Sequence, residues 1–447
     1  MKFGSICSGI EAASLAFKSS GMTPAWFSEI SDFPSSVLSH HYPDIINHGD
    51  MNDLPELILS QKVEAPELLC GGTPCQAFSL AGWKKGLVDS RGQLTLKFIE
   101  IADAIDDVRI RLKKDKALIL WENVEGVLRD KTNAFGTFIA GLSGLEEEIK
   151  VAKWSNSGVL LGPKRNIAWR TLDAKFFGLP QQRRRLFVIA TDTKLNPEQI
   201  LFEKLSSENN QWKPLKTLYK HKLFEKDKTQ PSLFNEDSID IKAFENIQYI
   251  NNIKVEVFRN YTDCLYSAYG TKWNGNAAAY NGSLYFSQND KVRRLTPIEC
   301  ERLMGFPDDY TLTPGAKDTT RYQAVGNSWA IPVVKWLGYR IRDNKKPTNC
   351  LWLNKLIPIH ENNDYKLYLF KNDLLEISNE YCINTSVSKN EVEMGNIFNI
   401  VHTDVKEKFY ISEKASLGIL RRKNLRQLKM NGSLENLFVL NSKEAVK

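Results

Sequence analysis

The chain has 447 residues, 42% hydrophobic and 25% charged, with a formal net charge of +7. That balance excludes a disordered or low-complexity chain, supplies core for two or three domains, and allows a polyanion partner without demanding one. No run approaches the roughly 18 consecutive apolar residues of a membrane span, and the opening MKFGSICSGIEAA has no signal-peptide layout, so a cytoplasmic location is expected.

Seven scattered cysteines without a CxxC pair predict reduced thiols rather than a disulfide framework or a zinc site, and no metal is expected. Up to about residue 190, short apolar runs alternate with amphipathic stretches, the pattern of β-α units on a mostly parallel sheet. KFGSIC, AWFSEI, ELLCGG, KALILWEN and RLFVIA read as strands. Leu94, Phe98, Ile101, Ile105 and Val108 recur at three- and four-residue steps and predict a helix with one face on that sheet. The fold class expected is α/β, a Rossmann-like doubly wound domain over 1–191 that is completed by 320–342.

After Thr191 the alternation gives way to Lys, Asn, Gln and scattered aromatics, and 192–319 reads as a smaller, irregular domain. QAVGNSWAIPVVKWLGYRI predicts a helix reaching Ile341, RDNKKPTN a linker, and 343–447 a C-terminal extension ending in the basic run LRRKNLRQLK.

Within the first domain, ICSGIEAA turns from strand to helix, and Gly9 lets the backbone approach a ligand there. Glu29, 20 residues on at the end of the next strand, is placed to accept from ribose hydroxyls, and Asp50 after Gly49 to accept from an adenine amino group. Turn and capping roles account equally for each of these taken singly. In GGTPCQAFS, Cys75 follows a buried strand, two glycines and a proline, the rigid and accessible perch that a reactive thiol needs, whereas Cys70 in LLCGG reads as a core residue. Glu122 in WENVEG ends a strand at the edge where ligands gather. In LPQQRRRLF, Arg183 and Arg185 fall on one face of an extended segment and Arg184 on the other.

GGTPCQAFS, ENVEG, LPQQRRRLF and the pair RRLTPIECERLMGFP and QAVGNSWAIP occur in an order that resembles the DNA cytosine-5 methyltransferases over about residues 1–340. The resemblance implies a class I methyltransferase fold, S-adenosyl-L-methionine as cofactor, and transfer of its methyl to C5 of a cytosine flipped out of double-stranded DNA. It implies Cys75 as the nucleophile adding to C6, Glu122 at N3 and the amino group, Arg185 at O2 and Arg183 in support of the same pocket. For the cofactor it implies Cys7, Ser8, Gly9 and Ile10, then Glu29, Asp50, Leu94 and Asn327. The family writes its first loop Phe-x-Gly-x-Gly-Gly; here it is CSGIEA, lacking the aromatic and two of the glycines.

The resemblance further implies a monomer and, for restriction-modification members, a cognate endonuclease acting separately. GGTPCQAFSLAGWKKG reads as a lid with Lys84 and Lys85 near phosphates or simply exposed, and RNYTDCLYSAYGTKWNGNAAAYNGS as the base-reading loops or a small aromatic core. One branch of the family methylates transfer RNA, and an inactive DNA-binding regulator is the reading from another class. The segment YISEKASLGILRRKNLRQLK is similar to tails of phage-borne methyltransferases and reads either as a DNA-contacting module or as a solvated amphipathic helix.

Overall fold

The structure, a computed structural model, describes residues 1–73, 90–206, 246–270, 280–344, 352–378 and 381–443. Cys75, Lys84 and Lys85 lie outside the described residues, as does part of the expected base-reading segment. Contacts divide the chain into two compact units, the first from the described parts of Met1–Asp173, Arg184–Ile239 and Val333–Val392, the second from those of Ala174–Arg183, Asp240–Pro332 and Glu393–Lys447.

The first unit is mixed α/β around a nine-stranded sheet. In chain order its strands begin with β1 (Lys2–Ile6), β2 (Thr23–Ser28), β3 (Leu68–Gly71), β4 (Leu118–Val124), β5 (Ser157–Leu161), β6 (Arg165–Asp173) and β7 (Arg184–Asp192). From one edge the order is His360–Glu361, Lys366–Phe370, β5, β6, β7, β4, β3, β1, β2. The ladders β2-β1-β3-β4 are parallel and the others antiparallel, so six of the nine strands run one way. The mostly parallel sheet expected from sequence is present, and all five strands read there belong to it.

Burial on both faces explains why the parallel half was legible, since β3 is buried throughout and β4 through Asn123. The helix Ser90–Arg111 lays Phe98, Ile101, Ile105 and Val108 into the core cluster with Trp121 and Phe138. Each such fully buried side chain contributes about 1.5–3 kcal/mol. Arg165, wholly buried on β6, pins the same helix by pairing with Asp106 at 2.7 Å while donating to Leu142 O at 3.0 Å.

The C-terminal residues divide between the units. Lys366–Phe370 pairs antiparallel with β5, and Tyr381–Asn384 pairs with Glu203–Ser206 and Leu374–Ser378 in a three-stranded sheet. Buried Arg170 fixes this segment by donating to the carbonyls of Leu201, Ser386 and Ser388. Residues up to Val392 therefore pack in the first unit, not as a separate extension.

The second unit is more regular than the sequence suggested. Ile247–Ile250, Ile253–Val257, Tyr285–Gln288 and Lys291–Arg294 form an antiparallel sheet. Its outer hairpins turn on Asn251-Asn252 and Asn289-Asp290, all four at positive φ, the geometry of tight two-residue turns. A capping box between Thr296 and Glu299 starts the helix Pro297–Met304, and Glu299 also forms a buried bidentate pair with Arg293 at 2.7 and 2.8 Å. The single helix expected to reach Ile341 is two, Asp318–Asn327 and Ile331–Asp343, separated where Ser328 becomes extended and Pro332 cannot continue the hydrogen-bond ladder. Among the described residues no helix is long and apolar enough to cross a membrane.

Candidate functional site

The sheet order places β1 between β2 and β3, so the connections leaving β1 and β2 diverge to opposite sides, and ligands gather at the carboxyl ends of strands around such a point. The loop leaving β1 is the sharpest feature there. Cys7, Gly9 and Glu11 all have positive φ, at 50°, 57° and 61°. Two of these are not glycine, a conformation that costs of order 1–3 kcal/mol each and persists only when neighbours enforce it. Here they do. Ser8 N–H donates to Ser28 O at 3.2 Å, Ser8 Oγ to Ser5 O at 2.9 Å, and Gly9 N–H to Glu29 Oε2 at 2.9 Å.

Glu29 thus meets the Gly9 loop directly, and its Oε1 accepts from Ser31 N–H at 2.8 Å. A carboxylate keeps further lone pairs for hydroxyl donors. A Cβ built on Gly9 would meet nothing within 4 Å, which leaves one side of the loop open to a close ligand approach. Asn47 Oδ1 accepts from both Glu29 N–H and Gly49 N–H, and Ser28 Oγ donates to Gly49 O, so exposed Asp50 is held beside the end of β2. An open glycine face, an acid at the end of β2 and a second acid nearby suit a nucleoside-bearing cofactor. Ile10 is fully buried, and the Leu94 side chain packs in part against the core.

Glu11 was not singled out from the sequence, although it occupies a position where the family writes glycine. It takes the left-handed conformation regardless, and its Oε1 accepts from Ser14 N–H and Ser14 Oγ, both at 3.0 Å. The residue is fully buried, and Oε2 has no hydrogen-bond partner among the described residues. Burial pushes its carboxyl up to about 7, against the opposing influence of Ser5 and Ser14. A folded-state value above the unfolded one stabilises the chain below the ordinary carboxyl range near 4.3, and that contribution disappears as pH rises through about 7. Glu11→Gln, which cannot ionise, is therefore expected to be more stable than the parent above pH 8, by on the order of 3 kcal/mol, and no more stable near pH 5. Melting curves of both chains between those pH values check this; parallel curves would refute it.

At the end of β4, Glu122 and Arg185 are diagonal neighbours on one face of the β4–β7 ladder, and Arg185 Nε lies 3.2 Å from Glu122 Oε1. Next to Glu122, Asn123 Nδ2 donates to Thr73 O at 2.8 Å, while Trp121 Nε1 donates to Thr73 Oγ1 at 3.0 Å. β4 therefore anchors the chain two residues before Cys75 through both main-chain and side-chain atoms. Arg183 has a different setting, in the second unit: its guanidinium donates to Leu265 O and Gly326 O at 3.0 Å and Ser328 O at 2.7 Å. It clamps the segment on which Asn327 is exposed.

The thiols fall into classes. Burial, with Glu29 nearby, pushes Cys7 up to about 12, and burial raises Cys70 and Cys300 well above the usual thiol range. None of these three is a ready thiolate.

Residues 1–343 match the family described as C-5 cytosine-specific DNA methylase. Similar curated proteins include a DNA N-6-adenine-methyltransferase of Escherichia phage P1, 35% identical over 76% of this chain and 61% of that protein. Type II methyltransferase M2.BsuMI of Bacillus subtilis (strain 168) is 28% identical over 77% of this chain and 76% of its own length. Type II methyltransferase M.HhaI of Haemophilus parahaemolyticus is 25% identical over 76% and 94%. The chain thus spans 61% of the phage relative and more of the other two. With the family's pattern running from the β1 loop through both helices after Asp318, over 343 of 447 residues, this chain belongs to the C-5 cytosine-specific DNA methylases.

Proposed function

We propose that the chain transfers a methyl group from S-adenosyl-L-methionine to C5 of a cytosine flipped out of a specific duplex DNA sequence, through a covalent bond from Cys75 to C6. The observation that carries this reading is the Glu122–Arg185 pair at the end of β4, whose neighbours anchor Thr73, two residues before Cys75. In duplex DNA the target carbon is stacked, so the base must leave the helix at a cost of a few kcal/mol.

Cytosine C5 is a weak nucleophile. Attack by the Cys75 thiolate on C6 moves the ring electrons toward C5, with Glu122 holding N3 and the amino group and Arg185 the O2. When bound, the cofactor supplies an electrophilic methyl on its sulfonium. After transfer, loss of the C5 proton to a base, a water being the simplest, expels the Cys75 sulfur and restores the aromatic ring. Cys7 to Ile10, Glu29, Asp50, Leu94 and Asn327 are assigned to the cofactor, Arg183 to positioning Asn327, and residues 192–319 to target recognition.

The name of the phage P1 relative favours a second reading, methylation of adenine N6. An exocyclic amine attacks a methyl directly and gains nothing from a thiol adduct, and 61% coverage leaves much of that relative unmatched. Labelled cofactor with duplex DNA, followed by hydrolysis to nucleosides, decides between them: 5-methylcytosine is expected, and N6-methyladenine alone overturns the proposal. A parallel arm with transfer RNA should incorporate far less label, and bisulfite sequencing of DNA from expressing cells should give the target site.

A further inference from the structure

We infer that the C-terminal helical hairpin of the second unit is a phosphate-tracking surface for duplex DNA, which rests on the duplex being the substrate. The hairpin consists of helices Glu413–Leu425 and Gly432–Lys443. Its inner face is core: Ile419, Leu434, Leu437 and Phe438 form one cluster with Phe258, Tyr280, Tyr285 and Val292. Its position against the antiparallel sheet is fixed by polar bonds as well. Ile411 N–H donates to Val292 O and Asn431 N–H to Tyr280 O, both at 2.9 Å, and Asn431 Nδ2 donates to Phe258 O at 3.2 Å.

The outer corner is electrically one-sided. From 414 to 430 there are six cations, Lys414, Arg421, Arg422, Lys423, Arg426 and Lys429, and no acid. Lys423 is neutralised by Glu435 at 2.7 Å, and Arg421, Arg422, Arg426 and Lys429 remain exposed in the last helical turn and the connector. Arg421, Arg426 and Lys429 make no ion pair among the described residues. Cations in a last helical turn also suit the helix dipole, but that effect fades within the turn and does not account for Arg426 and Lys429 beyond it. Nor does it explain why this corner is tied to Tyr280, within the segment that the sequence marks for base reading. Base-reading segments need nearby phosphate contacts to fix their register, and a rigid cationic corner bonded to that segment supplies them.

The test is equilibrium binding of the full chain to duplexes of two unrelated sequences across a salt series. Each phosphate contact contributes about 0.9 to the slope of log K against log salt, so Arg421→Gln/Arg426→Gln/Lys429→Gln should make the slope shallower by about 2 to 3. Affinity should fall equally for both duplexes, because phosphate contacts carry no sequence, and turnover at saturating duplex should be unchanged. Arg421→Lys/Arg426→Lys, which keeps the charge, should keep the slope. A triple variant with the parent's slope overturns the hairpin's role and leaves the methyltransferase reading intact. A change seen with transfer RNA but not with duplex overturns it in favour of RNA, and failure of the parent to bind duplex at all overturns both.

Discussion

A Cys75→Ser chain is expected to bind duplex DNA like the parent and to lose methyl transfer by about 1,000-fold or more. A serine hydroxyl is far more basic than a thiol and is not appreciably ionised near neutral pH, so addition to cytosine C6 stalls. Cys7, Cys70 and Cys300 offer no ready thiolate in its place, since burial raises each of them above the usual thiol range. A duplex carrying 5-fluorocytosine separates this from a loss of fold or of DNA affinity. Once the methyl is on C5, fluorine cannot leave as the proton does, so the sulfur stays bonded to C6 and an adduct survives denaturation. The parent should form that adduct and Cys75→Ser should not. Near-parental turnover by Cys75→Ser would remove covalent catalysis from the mechanism.

The central strands β3 and β4 of the first unit were readable because both of their faces are buried, which writes near-continuous apolar runs into them. The β5–β6 hairpin was missed for the opposite reason. Every residue of β6 is buried, yet Arg165 and Arg170 interrupt its apolar run, and only the fold reveals the carboxylates and carbonyls that satisfy them. The antiparallel sheet of the second unit was obscured differently. Its turns, Asn251-Asn252 and Asn289-Asp290, were legible hairpin signals, but the surrounding Lys- and Asn-rich composition was read as irregular. Of the site, Glu122 and Arg185 were visible as motif residues, whereas their pairing depends on the β4–β7 register, which no local pattern specifies. Glu11 was written off as a missing glycine, because a buried carboxylate that enforces a left-handed backbone has no signature in spacing.

Replacing Glu122 by glutamine is expected to lower turnover by about 100- to 10,000-fold, the range for removing a positioned acid-base group, with duplex binding changed only a few-fold. The amide keeps the size and one hydrogen bond but can neither carry a proton to the base nor balance the charge of Arg185, 3.2 Å away. A purely architectural Glu122 would act otherwise, loosening the end of β4 and with it the Asn123 bond to Thr73. That would lower stability and cofactor affinity together. The pH dependence of kcat/KM distinguishes the two: an acid-base role requires that one limb of the parent's profile flatten in Glu122→Gln, while loosening scales the whole profile down without changing its shape. Since Arg185 holds the carboxylate from β7, Arg185→Lys should retain a charge partner yet lose the planar fork, giving a smaller loss than Glu122→Gln with the same profile shape as the parent.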